Sequence, residues 1–504
     1  MPTTTTFTLP YEIWYIIASL FSLSELRNLL GVHAAFLYRF MKLQYVEVKI
    51  SSIHDPVTLR CYKNMSPMAA KHVRTLVLEP EALGGFMYKG ITGSIARLTH
   101  DLLTKCNIGV PLSKAAAAGK LLDLIPHMTN VESLVINNAF QQEHNPLFEP
   151  ATTLVRTSLS SQGQNLRKLS LKSPYIEFLD PSLVLPALED LNVSFNNPAP
   201  IDAENTHPLI SFFSRHAHQL KHVSIYILLA TLDTSYLFTE LPNLPRLNSI
   251  YLAVTREHIA SQQPTGIDEF LKKHAPTLEK MKLLCSCPHR RNSSERTSST
   301  STQLLSHPIF QVELPVLSSL DLGFVELDHS HDFTPLRRYL GNFRLTLTTL
   351  ALDFNSYHIP YDRVGDVFRA FLGSEKPPLQ HLTIRTDYLM INVLDEVENH
   401  FPNLSELDWT VRYFRDYSRD LRHASQHFYN LCPSDGVGVQ AQHFASDLGQ
   451  RSFEGLPHLR HLTIRHLADW KRRDEEIESI FQRALPPHVT VSIVQLPRPV
   501  LCPW

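Results

Sequence analysis

From residue 73 onward one hydrophobic pattern, apolar-x-x-apolar-x-apolar, recurs twelve times. The copies open at Val73, Val131, Leu166, Leu188, Leu220, Leu247, Leu278, Leu317, Leu347, Leu379, Leu404 and Leu459. Several are near-identical in form, such as Leu166-Arg-Lys-Leu169-Ser-Leu171 and Leu317-Ser-Ser-Leu320-Asp-Leu322. The last two apolar residues of each copy flank a single residue, which is the period of a strand with one buried face. Between copies the period changes to that of a helix. Leu209 to His216 (after Pro208), Ile267 to His274, Arg363 to Leu372 and Ile391 to Val397 carry apolar residues three and four apart. A strand with one return segment cannot bury its apolar edge alone, whereas stacked copies make one continuous core. The expectation is an α/β solenoid with parallel strands on a concave face and helices on a convex face.

The copies open 22 to 39 residues apart, except for gaps of 58 and 55. Three polar stretches, about 137–164, 287–303 and 414–453, read as insertions, the last with a repeat eroded past recognition as the alternative. The middle one, Arg290 to Ser301, is low in complexity and carries Ser and Thr near Arg; it reads as a flexible loop with phosphorylation as the alternative. Val489-Thr-Val-Ser-Ile493 predicts a last strand, and the tail from Leu496 to Trp504 is Pro-rich. Alternation within each strand sends the residues beside the inner apolar pair to the opposite face. In the late copies these are His381, Thr383 and Arg385, then Glu406 and Asp408, then His461 and Arg465. Their mixed charge suits a protein partner better than a polyanion.

The first fifty residues follow a different rule. Leu9, Ile13, Ile16, Ile17 and Leu20 mark a helix face, with Pro10 suited to its first turn. Ser22-Leu-Ser-Glu25 has capping-box spacing and opens a second helix through Leu26, Leu29 and Leu30, which Gly31 breaks. A third helix runs through Phe36, Leu37 and Phe40. Three helices of this size cannot bury much apolar surface among themselves, so part of it is expected to meet a partner or the next domain.

The series Leu9-Pro10-x-Glu12-Ile13-x-x-Ile16-x-x-x-Leu20, then Leu26, Leu29, Val32 and Phe36, resembles an F-box. The following Tyr45-Val-Glu-Val-Lys-Ile50 resembles the strand by which such an element leads into the next domain. Where many family members have Val-Ser-x-x-Trp, this chain has Val32-His-Ala-Ala-Phe36. The Leu-x-x-Leu-x-Leu core resembles a leucine-rich repeat, although Asn occupies the usual ninth position only at Asn196 and Asn355. That departure predicts an uneven arc. The whole chain is thus similar to F-box proteins with degenerate leucine-rich repeats, of the fungal type. The resemblance implies a flexible start at 1–8, an F-box at 9–50, repeats over 51–495 and a tail at 496–504. It further implies that Leu9, Pro10, Ile13, Ile16, Leu20, Leu26, Leu29, Val32 and Phe36 take a Skp-type adaptor, and through it a cullin. The solenoid would then hold a protein client for ubiquitination, with the seven late-copy residues as the candidate client contacts. The rival reading is an interaction scaffold whose first helices only cap the stack.

Composition narrows the rest. A stack of 504 residues escapes the size limit on a single core. A formal charge of −2 argues against nucleic acid or an anionic membrane as partner. Six irregularly spaced cysteines imply no disulfide framework, so cytoplasm or nucleus is expected. The apolar run Ile13 to Leu23 lacks a basic lead and a cleavage site, and no run reaches the roughly 20 residues of a membrane helix. Cys285-Ser-Cys287-Pro-His289, with His274 upstream, has zinc-ligand types at a poor spacing, and Asp328-His-Ser-His331-Asp332 reads as a solvated loop. No phosphate loop, nucleophile elbow or His-Glu-x-x-His motif is present. A binding protein without metal or cofactor is expected, not an enzyme.

Overall fold

The computed structural model describes residues 9–50, 65–79, 123–137, 148–171, 179, 183–195, 203–227, 234–255, 265–286, 307–324, 333–352, 363–414, 436–451, 453–466 and 474–495. The chain divides into two compact units, Met1–Tyr226 with Glu240–Arg246, and Ile227–Thr239 with Leu247–Trp504. Fourteen strands and thirteen α-helices make an α/β fold among the described residues.

The first unit holds β1 (Glu47–Ile50), β2 (Thr75–Leu78), β3 (Ser133–Ile136), β4 (Lys168–Leu171), β5 (Asp190–Phe195) and nearly all of β6 (His222–Ile227). The second holds β7 (Ser249–Thr255), β8 (Lys280–Ser286), β9 (Ser319–Phe324), β10 (Thr349–Leu352), β11 (His381–Leu389), β12 (Glu406–Phe414), β13 (His461–His466) and β14 (Thr490–Gln495). A strand lies on each of the twelve triplets, and β1 and β14 lie on the two further predicted segments. All three apolar positions of every triplet are at most 2% exposed. Within each unit, strands that follow one another in sequence pair in parallel, as in a parallel-strand solenoid.

Register follows the triplets. In the first unit Leu76, Leu134, Leu169 and Leu191 stand opposite one another. In the second, Met281, Leu320, Leu350, Leu382, Leu407, Leu462 and Val491 do the same. A slip of one residue would turn every one of them to the outer face, so the apolar pattern itself specifies the pairing. Most strands begin alike: two successive N–H groups converge on one carbonyl of the preceding copy, as Ser318 and Ser319 do on Glu279 O at 2.8 and 3.0 Å.

Side-chain amides add a second link between copies, at a place the repeat resemblance does not indicate. Asn130 donates to Lys71 O (2.7 Å), Asn165 to Thr129 O (2.9 Å), Gln219 to Leu185 O (2.8 Å) and Asn403 to Pro377 O (3.0 Å). Each donor immediately precedes the first apolar residue of its triplet. These amides satisfy turn carbonyls from the start of the strand. Asn196 and Asn355 lie outside the described residues.

Return segments pack ring on ring. In the second unit Phe310 meets Tyr339 at 5.3 Å between centroids, Tyr339 meets Phe343 at 4.9 Å, and Phe401 meets both Phe368 (4.9 Å) and Phe371 (5.1 Å). Two of the polar stretches contain helices. Phe148–Gln162 buries Val155 and Leu159 within a run of Thr and Ser, and Gly436–Gly449 buries Phe444 and Leu448. Two or three buried apolar residues among the described side chains of each helix are enough to seat a return segment yet too few to raise a periodic signal. The helix Ala203–His216 also begins before Pro208, which lies inside it. Residues 287–303 fall outside the described residues, as do the termini 1–8 and 496–504.

Candidate interaction surfaces

Three helices precede β1: Tyr11–Ser19, Leu23–Asn28 and Ala34–Gln44. The second opens with a reciprocal capping box, in which Glu25 N–H donates to Ser22 Oγ (3.4 Å) and Ser22 N–H to Glu25 Oε2 (2.8 Å). Hydrogen bonds from Ser22 hold the Glu25 carboxyl below its ordinary pKa. This helix stops at Asn28, before Leu30 and Gly31. His33 Nδ1 caps the third helix, accepting from Ala35 N–H at 3.2 Å. The core is Ala18, Leu26 and Phe36, with Trp14, Ile17, Phe21, Leu29, Phe40 and Leu43 packed against it.

The nine residues expected at the adaptor contact therefore separate. Leu26 and Phe36, 0% and 3% exposed, are core, because they stand where the helices meet; they support a surface and do not form one. Leu29 is half-buried against them. Leu9, Ile13, Ile16, Leu20 and Val32 are 47%, 41%, 58%, 79% and 58% exposed, and Pro10 is exposed as well. The first helix is thus apolar on two faces, one turned to its core and one left to solvent. Leu23, at the start of the second helix, is exposed as well, and the sequence signal for it is the leucine inside the capping box. The third helix also meets the turn that leads into β2: the Tyr38 ring stands edge-on to His72, 4.7 Å away.

In the second unit, the seven late-copy residues fall on neighbouring strands in register. His381 stands opposite Glu406 and Glu406 opposite His461; Thr383 is opposite Asp408; Thr410 separates Arg385 from Arg465. Polar and charged side chains pair across strands. His381 Nδ1 lies 3.0 Å from Glu406 Oε2, and Arg465 holds Asp408 through Nε (2.8 Å) and Nη2 (2.7 Å). Exposed His461 meets Thr490 Oγ1 at 3.1 Å. Arg385 corrects the outward reading: it is 7% exposed beside Thr410 at 6%, because neighbouring residues enclose a long side chain at mid-strand. A second outer set occupies β7 to β9, where Lys282 sits 5.2 Å from the Tyr251 ring centroid and 2.6 Å from Asp321. Such half-exposed pairs contribute about 0–1 kcal/mol each to stability. They shape the face more than they hold it.

Buried histidines, in contrast, are part of the framework. Nδ1 of His216, His274 and His400 donates to the carbonyl four residues earlier, at 2.8, 2.7 and 2.8 Å. His216 Nε2 also accepts from Leu185 N–H (3.1 Å), so the neutral ring ties the helix end back to the lead of the preceding strand, β5. Burial lowers the pKa of His216 and His274, against the opposing pull of the carbonyl, and Arg215 and Lys273 add to the lowering. Cys285 is buried and its thiol is pushed up by burial, away from reactivity. No group of three or more His, Cys, Asp or Glu placed to hold a metal ion occurs among the described residues. Cys287, His289 and residues 328–332 lie outside them. No described helix is long and apolar enough to cross a membrane. No protein-family model matches the chain, and comparison with curated proteins yields no significant relative.

Proposed function

We propose that this chain is the substrate-recognition subunit of a Skp–cullin–F-box ubiquitin ligase, built as an F-box followed by degenerate leucine-rich repeats. The helices over 9–50 take a Skp-type adaptor, and the outer face of β11 to β13 takes a protein client. The chain catalyses nothing itself. The observation that carries the reading is the first helix, whose second apolar face leaves Ile16 and Leu20 58% and 79% exposed. Full burial of such a side chain contributes about 1.5–3 kcal/mol, so this face favours association. The scaffold alternative draws on the Tyr38–His72 contact, which joins the third helix to the turn ahead of β2. A cap alone gives no use for the outward face of the first helix.

The adaptor half is tested by Ile16→Asp with Leu20→Asp. Both side chains are exposed, so the helical core stays intact. Copurification of adaptor and cullin with the full chain is expected to fall by at least about a hundredfold, as for two interface anchors lost together. Undiminished copurification returns the chain to the scaffold reading. The client half is tested by exchanging a pair, Asp408→Arg with Arg465→Asp. The exchange keeps an ion pair across β12 and β13 and reverses its direction. Quantitative interaction profiling should then show clients lost and adaptor kept. An unchanged client set moves the contact to the Tyr251–Lys282–Asp321 surface.

A further inference from the structure

A sheet edge carries a row of peptide groups turned away from its last neighbour, and proteins protect such edges with charge, proline, bulges or a covering element. At β14 the Thr490 N–H points toward β13, donating to Arg460 O at 2.8 Å. Alternation then turns the N–H groups of Val491 and Ile493 the other way, where no described strand lies. The strand reads Thr490-Val-Ser-Ile-Val-Gln495, with no charge, proline or glycine. A short uncharged segment of this composition is a ready acceptor for another strand.

Two side chains already occupy that edge. They come from the helix Asp474–Ala484, which is anchored by buried Ile477 and Phe481. Gln482 Nε2 donates to Val489 O (2.7 Å) while its Oε1 accepts from Val491 N–H (3.0 Å). One helical turn earlier, Glu478 Oε2 accepts from Ile493 N–H (3.3 Å). A residue in a neighbouring parallel strand would make the same two bonds opposite Thr490, donating to the carbonyl before it and accepting from the amide after it. The Gln482 amide stands in for that residue.

We propose that Gln482 and Glu478 form an edge lock, a side-chain imitation of a strand that keeps β14 from pairing with β14 of a second copy of this chain. The second copy is the occupant that fits. Antiparallel β14–β14 pairing is self-complementary and closes under a two-fold axis, and an uncharged strand meets no like charge in its twin.

Hydrogen exchange on the unmodified full chain is the first test. The amides of Val491 and Ile493 should be protected alongside that of Thr490, although they face outward. Exchange at the unprotected rate at these two positions would overturn the lock, with no variant needed. In Gln482→Ala with Glu478→Ala, which keeps good helix formers, exchange at Val491 and Ile493 should rise by about fivefold or more, the equivalent of one ordinary hydrogen bond. Thr490 should stay slow. Sedimentation of the same variant should show an added, concentration-dependent dimer. A sedimentation profile identical to that of the unmodified chain would show that the two side chains are not what keeps copies apart.

Discussion

Leu320→Asp should unfold the second unit around β9, while the neighbouring Asp321→Asn should leave it nearly unchanged. Leu320 is 0% exposed and stands in register between Met281 of β8 and Leu350 of β10. Removing it forfeits about 1.5–3 kcal/mol of burial. An unpaired carboxylate in the same place adds a penalty of several kcal/mol. Together these approach the whole stability of an ordinary domain, about 5–15 kcal/mol. Each copy is buried only by its neighbours, so the damage should spread to β8 and β10. Asp321, one residue on, faces outward and pairs with Lys282 at 2.6 Å, a half-exposed contact worth about 0–1 kcal/mol. Urea unfolding and limited proteolysis of the two variants make the comparison. Equal stability of Leu320→Asp and Asp321→Asn would mean that the register is wrong.

That contrast also marks what a sequence of this kind makes legible. Strand positions are readable because a buried triplet leaves a dense, periodic trace, and parallel register follows once equivalent residues must stack. Helix Ile267–His274 is readable for the same reason, with Ile267, Phe270 and Leu271 all on its buried side. Phe148–Gln162 is not, since among its described side chains the buried apolar ones, Val155 and Leu159, stand among Thr and Ser. The amide links of Asn130, Asn165, Gln219 and Asn403 escape notice because Asn and Gln ahead of a strand look like ordinary turn residues. Partner pairing is harder again. His381 and Glu406 are outward-facing by alternation alone, but their contact depends on which strand lies beside which. Arg385 shows the limit of the alternation rule, which fixes the direction of a Cβ and not the exposure of a long side chain. For Leu26 and Phe36 the motif named the right residues for a helical element without separating those that fill its centre from those that face out.

Trp409 carries the second large effect. It is the one residue at the third triplet position that is not aliphatic, and it is 0% exposed. Its indole N–H donates to Thr386 Oγ1 on β11 at 2.7 Å. Its ring meets Phe444 at 6.4 Å, and Phe444 meets Phe481 at 5.4 Å, so a chain of three rings connects β12 to two successive return helices. Trp409→Ala should cost about 3–5 kcal/mol, the range for a large aromatic removed from a packed core. Trp409→Leu restores the aliphatic pattern of the other copies and still should lose about 2–3 kcal/mol, because the space sized for an indole stays partly empty. Thr386→Val keeps the volume and leaves the indole N–H without its acceptor, for about 1–3 kcal/mol. Urea unfolding of the three variants should give the order Ala, Leu, Val from least to most stable. If Trp409→Leu matched the unmodified chain, the indole would be a tolerated passenger of the repeat. If Thr386→Val proved as damaging as Trp409→Ala, the hydrogen bond rather than the ring packing would be what holds these strands and helices together.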